Sequence, residues 1–66
     1  MTEFGRRLRA AREEAGLSLE DLGARCGIAR QHVSRYELGL HEPSASRLRA
    51  LCLALQASAD DLLGLA

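Results

Sequence analysis

The run Ser18–Gly39, SLEDLGARCGIARQHVSRYELG, decides the fold. Ser18 is a good N-cap, because its hydroxyl can accept from an orphan amide of the next turn. Asp21 stands at the third helical position, where a capping box usually has Glu or Gln. A helix is predicted from Leu19 to about Cys26, with Leu22 and Cys26 facing inward four residues apart. Gly23 falls inside it, where glycine costs about 1 kcal/mol relative to alanine. Such a residue is expected where another helix comes too close to leave room for a Cβ. Gly27 ends the helix and Ile28 follows as an apolar plug. A second helix is predicted from Ala29 or Arg30 to Leu38, closed by Gly39. On it Val33, Tyr36 and Glu37 point inward with Ile28, while Arg30, Gln31, Ser34 and Arg35 fall on the polar side.

Outward from this core, residues 3–15 read as a first helix. Phe4, Leu8, Ala11 and Ala15 recur at helical spacing, and Glu3–Arg7 and Arg9–Glu13 are i,i+4 pairs on the solvated face. Gly16 stops that helix and Leu17 turns the chain inward. Beyond Gly39, the linker GLHEPS reaches Ser44, the expected cap of a fourth helix. There Leu48, Leu51, Cys52 and Leu55 form a core stripe at i, i+3, i+4, i+7, with Leu53 off it. Ser58 is expected to cap a last short helix whose first turn carries Asp60 and Asp61, favourable to the helix dipole.

Composition agrees. The chain has 66 residues and is 47% hydrophobic, rich in Leu and Ala. Thr2, Ile28 and Val33 are the sole β-branched residues, so an all-α, single-domain chain over residues 1–66 is expected. Nine arginines balance nine acids with no lysine, which counts against a purely electrostatic nucleic-acid binder unless charge is segregated by face. No apolar run approaches the ~18 residues of a membrane span, so no membrane partner and a cytoplasmic location are expected. Cys26 and Cys52 read as buried free thiols. With His32 and His41 they lack zinc-site spacing, so no metal and no other cofactor is expected.

Catalysis is disfavoured: a chain this small has little volume for a pocket, and His32 and Ser34, two apart on a helix, do not face each other. No small-molecule substrate is evident. Nucleic-acid binding fits better. Two helices joined by a tight turn make a helix-turn-helix, whose second helix enters the major groove. Arg reads guanine O6/N7 and Gln reads adenine N6/N7, so Arg30, Gln31 and Arg35 are candidate base readers. The same three residues would also suit an ordinary solvated face.

From about Phe4 to Leu63 the chain resembles the lambda-repressor-like, or XRE/Cro, DNA-binding domain. The resemblance rests on GLS at 16–18, Leu22, the small residue 23, Gly27-Ile28, Val33-Ser34, Tyr36-Glu37, Gly39, Pro43-Ser44 and the AL–S–DLL ending. It implies a compact five-helix fold with the helix-turn-helix in helices 2 and 3, and a bacterial or phage transcriptional regulator or repressor binding double-stranded DNA. It also implies base reading by Arg30, Gln31 and Arg35, with His32, Ser34, Ser18, Ser44 and His41 as candidate base or phosphate contacts. Arg12 and Glu37 match a structural ion pair of the family, and a small residue is kept at position 23 because helices 2 and 3 pack closely.

The chain departs from the family at Leu19, commonly Gln, and at Leu38, often Asn or basic. Leu40 and Leu53 replace usually polar surface positions. Weak binding by a monomer, and hence homodimerisation over a two-fold site, is expected, with Leu40, Leu53, Leu63 and Leu65 as a candidate dimer patch. The alternative is a protein-interaction module or an antitoxin-like accessory protein with the same fold.

Overall fold

Five helices carry the chain in the computed structural model, which describes residues 2–65: α1 (Glu3–Glu14), α2 (Leu19–Cys26), α3 (Arg30–Leu38), α4 (Ala45–Leu55) and α5 (Ala59–Leu63). The architecture is all-α, as the sequence indicates. Four helices start on a hydroxyl cap: Thr2, Ser18, Ser44 and Ser58 each accept from an amide three residues on. At Ser18 the capping box is complete, the Ser18 amide donating to Asp21 Oδ2 at 3.2 Å. These hydrogen bonds hold the Asp21 carboxyl below the usual carboxylate range. α3 alone starts without one, on Ala29.

α1 packs against α3 and α5, α2 against α3 and α4, and α4 against α5. The helix-turn-helix is thus clamped between the two long helices. Leu8, Leu22, Ile28, Val33, Tyr36 and Leu51 form the central cluster, and Leu62 is buried under α5. Leu8, Leu22, Val33 and Leu51 are wholly inaccessible, each worth about 1.5–3 kcal/mol of burial. The predicted α1 and α4 stripes hold only in part. Phe4, Ala11, Leu48, Cys52 and Leu55 are half-buried, and Ala15 is exposed beyond the end of α1, because a bundle this thin covers each helix on one narrow strip.

The reason for Gly23 differs from the one expected. A Cβ there would run into the carbonyl oxygen of Ile28, so the turn itself, and not a neighbouring helix, fills the space. Gly27 takes φ 67° and its neighbour Ile28 donates its amide to the Gly23 carbonyl at 2.9 Å, closing α2. A second such glycine lies in α1 with no sign of it in the local sequence. Gly5 of α1 is buried, and a Cβ there would collide with the carbonyls of Tyr36 and Glu37. Two backbones touch at this point, and the contact sets how close α1 lies to the end of α3.

Candidate nucleic-acid interface

The inward face of α3 is fixed from three sides. Val33 and Tyr36 are buried in the core. Glu37 is also buried, yet paired: Arg12 Nε lies 2.6 Å from Glu37 Oε2 and Arg12 Nη2 3.1 Å from Oε1, while Arg12 Nη1 donates to the Leu17 carbonyl at 2.9 Å. The side chains are 12% and 7% exposed. The hydrogen bond to Glu37 raises the Arg12 guanidinium above its ordinary value. Glu37 therefore places no negative charge on the outer face of α3. The third tie is Arg47 of α4, whose Nη1 donates to the Tyr36 hydroxyl at 2.7 Å.

Because the inward residues are anchored, the outward ones are presented in a set orientation. Arg30, Gln31 and Arg35 are exposed, and Ser34 is half-buried between them. Together with Leu19, Leu38 and Leu40 they line one open groove of about 430 Å³. Among the described residues no carboxylate lines it. The three ion pairs among the described residues, Glu3–Arg7, Arg9–Glu13 and Arg12–Glu37, leave Arg30 and Arg35 out. Neutral overall charge thus hides a segregation: Arg7 and Arg9 of α1 are paired within their own helix, while Arg30 and Arg35 of α3 enter none of these pairs.

The remaining candidates are scattered. His32 is half-buried on α3. The Ser18 and Ser44 hydroxyls accept from Asp21 and Arg47 amides at 2.9 and 3.2 Å, so both are engaged as caps. His41 lies in a different groove, with Phe4, Pro43, Leu48 and Leu63. The four leucines of the candidate dimer patch are also divided. Leu40 joins the α3 groove, Leu63 the His41 groove, and Leu53 a third one beside Cys26 and Ala54. Leu65 is 72% exposed near the end of the chain. Cys26 and Cys52 are half-buried free thiols, Cys26 donating to the Ala50 carbonyl at 3.5 Å, and burial pushes both thiols up.

The Arg47–Tyr36 link was invisible in the sequence, since an Arg in the first turn of a helix reads as solvated. No helix among the described residues is long and apolar enough to cross a membrane.

Comparison with known proteins places this geometry. The helix-turn-helix domain family model matches residues 3–65. A curated relative, the HTH-type transcriptional regulator Rv0474 of Mycobacterium tuberculosis, is 38% identical over 55 residues, 83% of this chain and 39% of that protein. The chain thus spans about two fifths of that relative's length. The P22 c2 repressor solved with a synthetic operator is 33% identical, with a TM-score of 0.92 and coverage of 100% of both chains. The biofilm master regulator SinR, solved with DNA, is also 33% identical, with a TM-score of 0.85 over 91% of this chain and 97% of that one. The chain belongs to the helix-turn-helix domain family, and its fold is that of the lambda-like phage repressors.

Proposed function

We propose that the chain is the DNA-reading part of a transcriptional regulator of the repressor type, acting in the cytoplasm with α3 in the major groove of double-stranded DNA. The observation that carries this reading is the groove on α3: two arginines without carboxylate partners and one glutamine, presented together. Arg30 and Arg35 read guanine and Gln31 reads adenine. Ser34 and His32 make adjoining contacts, and the amides that Ser18 and Ser44 introduce approach phosphates. His41 takes part only as a phosphate contact at the margin. The P22 and SinR structures, both solved on DNA, support the reading.

Two copies bind as a homodimer, with half-sites about one helical turn apart, roughly 34–36 Å. Leu40 counts with the reading groove, and Leu53 and Leu63 open onto separate grooves, so the dimer contact does not run through one leucine patch. No reaction is assigned to the chain, and its work is binding.

A second reading has its own observation. Leu19, Leu38 and Leu40 wall the α3 groove with apolar surface, which would also suit a protein partner. Selection from a random duplex pool at low salt, with the mass of the bound complex measured alongside, separates the two. Enrichment of a palindromic motif by a dimer is expected. Failure to enrich any duplex would overturn the DNA reading and leave the protein-binding one.

A further inference from the structure

We propose that Leu38 is a specificity residue that reads the C5-methyl group of a thymine next to the base taken by Arg35; this rests on the DNA reading of α3 given above. Gln31, Arg35 and Leu38 are spaced i, i+4, i+7 and so continue one stripe along α3. The stripe does not end where its polar members end. Leu38 lines the same groove as Arg30, Gln31, Ser34 and Arg35, and at 49% exposure it is half open to whatever enters. Leu19, from the start of α2, and Leu40, 66% exposed just past α3, complete an apolar wall around it.

The occupant of this groove has to satisfy two opposite demands. Its charge must complement two guanidiniums that pair with no carboxylate among the described residues. Its surface must also offer something apolar to three leucines. The major-groove edge of DNA meets both, because its phosphates are anionic and one base, thymine, projects a methyl group into the groove. An apolar protein segment would meet the leucines and leave Arg30 and Arg35 facing uncharged surface. Charge complementarity thus favours DNA over an uncharged apolar segment, and the apolar wall favours thymine within it. The substitutions at 19, 38 and 40 then redirect sequence preference in place of merely weakening the grip.

The test uses two random duplex pools, one ordinary and one synthesised with deoxyuridine in place of thymidine, so that base pairing is kept and the methyl is removed. With the wild-type chain the ordinary pool is expected to yield thymine at a fixed position within about two base pairs of the Arg35 guanine. The deoxyuridine pool should lose that preference, with affinity for the matched site falling about 3–5-fold for the one methyl removed. Leu38→Asn should lose the thymine preference in the ordinary pool, its fold checked by circular dichroism. Equal enrichment of uracil at that position by the wild-type chain, or no thymine preference at all, would overturn the proposal while leaving the α3 reading intact. Absence of any enriched duplex would overturn both.

Discussion

Arg12 and Glu37 join the second half of α1 to the end of α3 through two near-parallel hydrogen bonds, the shorter 2.6 Å, at a site where both side chains are largely inaccessible. A charge left alone there would be buried without compensation. Arg12→Met or Glu37→Gln is expected to lower stability by about 3–5 kcal/mol. The double variant Arg12→Met/Glu37→Gln should cost clearly less than the sum of the singles, since neither charge is then left alone. Urea unfolding of the three variants, read as a double-mutant cycle, checks this. Additive losses would show that the two residues act independently.

The glycines inside helices oppose the ordinary propensity rule. On an open helix, Gly→Ala gains about 1 kcal/mol. At Gly5 and Gly23 an added Cβ meets backbone carbonyls that cannot rotate away. Gly5→Ala and Gly23→Ala are each expected to destabilise by about 1–3 kcal/mol, the range for forcing extra methyl groups into packed sites. Thermal melts decide it, and a rise in midpoint for either variant would contradict the packing described.

The capping box of α2 gives a pH signature. Hydrogen bonds from the Ser18 amide and hydroxyl region hold Asp21 below the usual carboxylate value. A group lowered in the folded state stabilises above its unfolded value of about 3.9 and ceases to do so as pH falls through the lower folded value. Asp21→Asn should therefore be less stable than the parent at neutral pH, the difference closing as pH falls below the unfolded value of about 3.9. A gap that stays constant with pH would show that the charge of Asp21 is not involved.

The Tyr36 hydroxyl is the partner of Arg47 across 2.7 Å. Tyr36→Phe keeps the ring in the core and is expected to cost about 0.5–1.5 kcal/mol, the net worth of one hydrogen bond. Denaturant titration measures it, and an unchanged midpoint would contradict the link.

What the sequence disclosed and what it withheld divide by range. Ser18, Ser44 and Ser58 were legible as caps because each satisfies an amide three residues away. The helices followed from them and from the Leu22, Val33–Tyr36 and Leu51 spacings. Thr2 was missed as the cap of α1, and so was Gln56, which closes α4 in the left-handed region at φ 52°. Gln carries no such signal on its own, whereas Thr is a favoured N-cap type and its place before Glu3 was a readable sign. Packing contacts carried no local signal: Gly5 under Glu37, the Ile28 carbonyl of the turn over Gly23, Arg47 on Tyr36. Arg12–Glu37 was anticipated through resemblance, as 25 residues separate the partners. The candidate dimer leucines illustrate the same boundary. Sequence could place Leu40, Leu53 and Leu63 on the surface, whereas only packing shows that they open onto separate grooves.

The central claim is that the outer face of α3 reads bases, and the most direct measurement compares the duplex preferences of the wild-type chain with those of Arg35→Ala and Arg30→Ala at one fixed salt concentration. Each variant is expected to lose about 1–3 kcal/mol on the best duplex and to relax its choice at a single base position, leaving the others as they were. Equal affinity and unchanged preference in both variants would contradict base reading by α3.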